Sequence, residues 1–136
     1  MSKQEIFRQF SRKGHLTVIV RGRCMGRALP EGSRVTVRRN TVYWPGDIVF
    51  YWRGDGKLVS HRFLGYTWSW RGPAAVTAAD LESRPDCPFP TQRMLGKAIQ
   101  IDGRKARCAP GQRLRAMGRY LNTFLARLRA KRAPAC

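Results

Sequence analysis

Cys24 ends an apolar rise in "VIVRGRCMGRALP" (18–30) and is followed at once by Met25. A cysteine there is either a small buried filler or a nucleophile held where a strand runs out. The chain has two histidines, His15 and His61, and His61 stands in "KLVSHRFLGY" (57–66). Taken alone, His61 reads as a strand histidine whose ring is satisfied by neighbours, and His15 as a residue at strand entry. A thiol ionises far more easily than a hydroxyl and pairs naturally with imidazole, so the two together are the combination with chemical potential. Cys87, Cys108 and Cys136 lie far apart, with no close pair at metal-ligand spacing, and carry no assigned role. No metal or other cofactor is expected.

The elements that would position these residues are mostly strands. Residues 2–13 fit a short helix with Ser2 and Glu5 as a capping box and Ile6, Phe7 and Phe10 on one face. "HLTVIV" (15–20) is β-branched and leads to Cys24, and "RVTVR" (34–38) alternates with period two. "DIVFYW" (47–52) is a nearly continuous apolar strand after the turn "WPG". It passes through "RGDG" into 57–66, and "LGKAIQI" (95–101) is a last strand. Residues 67–93 show no sustained period and read as turns with at most one short strand. Leu114, Met117, Leu121, Phe124, Leu125 and Leu128 recur at spacings of three and four, which predicts a C-terminal amphipathic helix.

With 136 residues the chain is long enough for one domain with a real core, and 43% of it is hydrophobic. Its 27 Lys and Arg against 8 Asp and Glu give a net charge of +19, which implies an anionic partner. No run of about 18 apolar residues occurs, so no transmembrane helix is expected. The start, "MSKQEIFRQFSRKGH", lacks the apolar core of a secretion signal. The expectation is a cytoplasmic chain with reduced thiols.

"GRCM", "WPGDIVF" and "SHRFLG", in that order, resemble the type I signal peptidases and the related self-cleaving repressor domains. Gly22, Cys24 and Met25 fall on that family's Gly-x-Ser-Met box, Gly46 and Asp47 on its Gly-Asp strand, and His61, Arg62 and Gly65 on its Lys-Arg or His-Arg box. The match covers about residues 16–101. Cys24 replaces the nucleophilic Ser, and His61 replaces the bacterial Lys, as in the members that use His. Asp80 and Asp86 have the six-residue spacing of the two aspartates in those members, without the Gly and Asn that accompany them. Arg27 stands where the family has Pro.

The resemblance implies a mainly β fold: a twisted, partly closed antiparallel sheet over 15–103, preceded by a short helix (1–14) and followed by a basic helix and tail (104–136). It also implies a peptidase with Cys24 as an activated nucleophile, His61 as general base and Asp86 or Asp80 orienting the imidazole. Gly22 and Met25 would flank the substrate, bound as an added strand. The expected substrate is a peptide or protein precursor, and an acidic leader would suit the charge. The alternative is an inactive module of the same fold that binds a peptide, an anionic membrane or nucleic acid. The helix face over 113–132 suits a peripheral position at an anionic membrane; nucleic acid fits less well, because Trp44, Trp52, Trp68 and Trp70 lie away from the basic run.

Overall fold

The computed structural model describes residues 2–129. Helix α1 (Lys3–Lys13) forms as its capping box dictates: the Ser2 hydroxyl accepts from the Glu5 N–H at 3.3 Å, and the Glu5 carboxylate accepts from the Ser2 N–H at 2.6 Å. Ile6 is buried and Phe10 packs beside it, but Phe7 lies a turn's fraction off that face and is exposed.

Eight strands follow: β1 (His15–Ile19), β2 (Arg34–Arg38), β3 (Ile48–Trp52), β4 (Leu58–Ser69), β5 (Gly72–Ala78), β6 (Phe89–Pro90), β7 (Met94–Ile101) and β8 (Arg104–Lys105). They form one antiparallel sheet in the order β1-β2-β7-β3-β4-β5-β6, with β8 paired to β7, and the sheet curls into a half-barrel. The fold is mainly β with a C-terminal helix, α2 (Pro110–Arg129). Leu16, Val18, Val35 and Val37 meet across β1 and β2 and fill one side of the core with Met25, Leu29 and Phe50. A second cluster gathers Tyr43, Val49, Tyr51, Phe63 and Phe89.

Two expectations change here. Residues 67–93 are not mainly turn: β4 runs on to Ser69, and β5 pairs with it through a seven-residue strand. Thiols are not all reduced: Cys24 and Cys108 are free, but Cys87 is disulfide-bonded. Among the described residues, no helix is long and apolar enough to cross a membrane.

Helix α2 crosses β4 where Gly65 leaves room. A Cβ on Gly65 would lie 2.8 Å from the Tyr120 ring, whose hydroxyl donates to the Tyr66 carbonyl at 2.5 Å. Gly65→Ala is therefore expected to push α2 off the sheet at a cost of about 1–3 kcal/mol. Thermal unfolding followed by circular dichroism checks this, and an unchanged melting temperature would show that the helix yields freely.

Candidate active site

Neighbouring residues on a strand face opposite ways, so His61 and Arg62 on β4 serve different surroundings. Val49 of β3 pairs with His61, which puts Tyr51, two residues on, diagonally beside it on the same face. Thr77 of β5 pairs with Phe63 and so shares that face too. The loop after β5 returns Asp86 to the same point, its N–H donating to the Thr77 carbonyl at 2.8 Å.

The result is a compact polar group. His61 Nδ1 lies 2.5 Å from Asp86 Oδ2. The same carboxylate oxygen accepts from the Thr77 hydroxyl at 2.7 Å and from the Tyr51 hydroxyl at 3.4 Å. Tyr51 Oη is also 3.3 Å from His61 Nδ1, and its ring stacks on Phe89 with centroids 4.1 Å apart. Burial pushes the Asp86 carboxyl up, but hydrogen bonds from His61 and Thr77, the charge of His61 and the Tyr51 hydroxyl outweigh it and hold the carboxyl below its ordinary value. Burial pushes the Tyr51 phenol up to about 12, so it stays protonated as a donor. With a carboxylate accepting at Nδ1, the tautomer assigned to a neutral His61 carries its proton there and leaves the Nε2 lone pair free.

Cys24 sits in the loop between β1 and a single 3-10 turn (Gly26–Ala28). Its thiol donates to the Ser60 carbonyl, the residue before His61, at 3.7 Å. The Leu81 N–H in turn holds the Cys24 carbonyl at 3.1 Å, so the β5–β6 loop grips the cysteine loop as well as delivering Asp86. Cys24, His61 and Asp86 line one open cleft of about 1350 Å³, with β1 along one wall. That exceeds the roughly 300–1,000 Å³ of small-molecule pockets and suits a length of extended chain.

The other expected site residues lie elsewhere. Asp80 does not reach His61: its carboxylate takes the Arg62 guanidinium in a two-point bridge of 2.8 and 2.6 Å, while Arg62 Nη1 donates to the Gly46 carbonyl at 2.7 Å. Met25 is 1% exposed and packs in the core, so its side chain is no part of the cleft. Gly22, with φ +93°, makes the exposed turn ahead of Cys24, and its N–H donates to Glu31 at 3.5 Å. Sequence reasoning missed Tyr51 and Thr77, because a strand tyrosine and threonine carry no signal until the register brings them to Asp86.

The thiol is not an ion-paired thiolate at rest. Burial pushes Cys24 up, and the charges of Glu82 and Asp86 add to it; its own N–H and that of Met25 oppose the shift without cancelling it. Alkylation by iodoacetamide at Cys24 should therefore rise at a pH above that of an ordinary thiol and, near neutrality, run slower than at the thiol of free glutathione. Faster labelling of Cys24 than of free glutathione at neutral pH would contradict that assignment.

No family model matches this chain, and no curated protein matches it.

Proposed function

We propose that the chain is a peptidase in which Cys24 is the nucleophile, His61 the general base and Asp86 the residue that orients the imidazole. The observation that carries this reading is the 2.5 Å contact of Asp86 with His61 Nδ1 in a cleft that Cys24 also lines. In the proposed reaction, His61 Nε2 takes the thiol proton as Sγ bonds to the scissile carbonyl carbon. The oxyanion is met by the Cys24 backbone N–H. Collapse breaks the C–N bond as His61 returns the proton to the departing amine, leaving a thioester. Water, deprotonated by His61, then releases the acid and restores the thiol. A protonated resting thiol makes His61 a base during attack rather than the partner of a preformed ion pair.

The substrate fits as an extended strand. Among the described residues β1 ends the sheet, paired with β2 alone, and its successive residues Thr17, Val18 and Ile19 line the cleft. Arg21, Lys57 and Arg93 line the same cleft, which suits a precursor with acidic residues near the cut. The signal-peptidase-like order of motifs in the sequence points to leader or pro-segment removal. A cytoplasmic precursor is part of the proposal, and the Cys87 disulfide is the observation that weighs against it. Non-reducing mass spectrometry on protein from its native cells checks the compartment, because a Cys87 disulfide retained there belongs to an oxidising one.

The test is a proteome-derived peptide library read by mass spectrometry. Wild type should produce new termini at a defined motif, and Cys24→Ala should produce none. The alternative, an inactive binding module, is favoured by one observation: the thiol's hydrogen bond goes to Ser60 O and not to the imidazole. Stable capture of peptides by wild type, with no new termini, would support the module.

A further inference from the structure

Helix α2 spends little of its apolar surface on the sheet. Ala116 is buried and Tyr120 half-buried against Leu64, Val76 and Ala78. By contrast, Leu114, Met117, Leu121, Phe124, Leu125 and Leu128 are all exposed, Leu121 at 54% and Leu128 at 66%. At about 100° per residue, these six occupy one arc, turned roughly a third of a circle away from Ala116. Arg113 and Arg129 flank the stripe on its two sides, with Arg115 farther round beyond Arg129, while Arg119 and Arg127 lie toward the side of Ala116. No acid follows Asp102 in the chain, so α2 carries no internal counter-charge.

Arg113 and Arg119 also fasten the helix. Arg113 donates to the Pro45 carbonyl at 3.1 Å, and Arg119 to the Glu82 carbonyl at 2.8 Å. The stripe is thus held outward on an anchored helix and is not a frayed end.

We infer that α2 docks the protein on an anionic lipid surface, with the Leu–Phe stripe at the boundary of headgroups and acyl chains and the exposed Arg129 and Arg115 beside it reaching the lipid phosphates. Charge complementarity selects this occupant. A second copy of the chain would bring two acid-free, Arg-bearing helices together, each on a body of net charge +19. Nucleic acid would satisfy the arginines but leave six large apolar side chains in water. An anionic bilayer offers apolar depth and a dense negative surface together, and long arginine side chains bridge the two.

Flotation of the full chain with vesicles tests this, using phosphatidylcholine alone or mixed with phosphatidylglycerol. Wild type should float with the mixed vesicles and not with phosphatidylcholine alone, and high salt should release it. Leu121→Ser with Phe124→Ser should lower the partition by about tenfold or more at physiological ionic strength. Ala126→Ser, on the far side of the helix, should leave it unchanged. These positions are exposed, so circular dichroism of the variants should match wild type. Cys24→Ala should float like wild type, which separates this inference from the proposed catalysis. Absence of flotation at low salt, or equal flotation of the double variant, would overturn it. So would self-association or nucleic-acid binding that the same double variant abolishes.

Discussion

Cys24→Ala is expected to remove essentially all processing of a cognate peptide, on the order of a thousandfold or more, while the fold is retained. The side chain is small and only half-buried, and its one hydrogen bond is a weak thiol contact to the Ser60 carbonyl, so its removal leaves little behind to destabilise. Cys24→Ser is the sharper comparison. A serine hydroxyl ionises far less readily than a thiol and must be hydrogen-bonded to its base to attack, whereas residue 24 is bonded to the Ser60 carbonyl and not to the imidazole, so this variant should lose most activity even though the nucleophile's position is kept. His61→Ala should match Cys24→Ala in rate, because the resting thiol is protonated and attack needs the base. Single-turnover rates on a peptide recovered from the library measure all three. Cleavage by Cys24→Ala at the wild-type rate would leave the cysteine as a buried filler.

Much of the architecture was legible because its signals are local. A capping box needs only Ser2 and Glu5, and the β1–β2 pair needs only alternation in "HLTVIV" and "RVTVR". β5 was illegible for a physical reason. Its "GPAAVTA" has small residues on both faces, with Ala74, Ala75, Val76, Thr77 and Ala78 all buried, one cluster beneath α2 and another beside Phe63. A strand covered on both sides loses its period-two pattern, and alanine carries no β preference to replace it. The C-terminal helix shows the converse. Its existence followed from the apolar spacing, but the face that packs is the one with Ala116 and Tyr120, chosen by the gap at Gly65.

The site was legible in its types and not in its pairings. Cys24 and His61 stood out as a thiol and an imidazole on the first and third of the three motifs, and the structure brings them to one cleft. The rest depended on register. Because Arg62 pairs with Ala78 and Thr77 with Phe63, the chain leaving β5 meets Arg62 first, through Asp80, and returns to His61 only at Asp86. Six residues between two aspartates fix no strand face. Met25 reads the same way in the sequence whether it lines a cleft or fills a core, and here it is buried in one cluster with Leu16, Val35 and Phe50.

The same geometry assigns opposite phenotypes to the two aspartates. Asp86→Asn should lower the cleavage rate by roughly 10³–10⁴-fold with a modest effect on stability. The amide can turn its NH₂ toward Nδ1, which moves the imidazole proton to Nε2 and removes the lone pair that takes the thiol proton. Asp80→Ala should do the reverse. It strips the partner from the Arg62 guanidinium, whose side chain is only 8% exposed, and leaving that charge unpaired costs about 3 kcal/mol. Cleavage per folded molecule should change little. The pH dependence of stability distinguishes the pair further. The Asp86 carboxyl titrates lower in the folded chain than in the unfolded one, so its stabilisation is full above the ordinary carboxylate range and is lost as pH falls through the folded value. Wild type should therefore lose melting temperature on acidification more steeply than Asp86→Asn, which has no carboxyl there to titrate. Rate and melting temperature measured together on both variants decide the matter. If Asp80→Ala, rather than Asp86→Asn, gave the collapse in rate at unchanged stability, the orienting role would belong to Asp80.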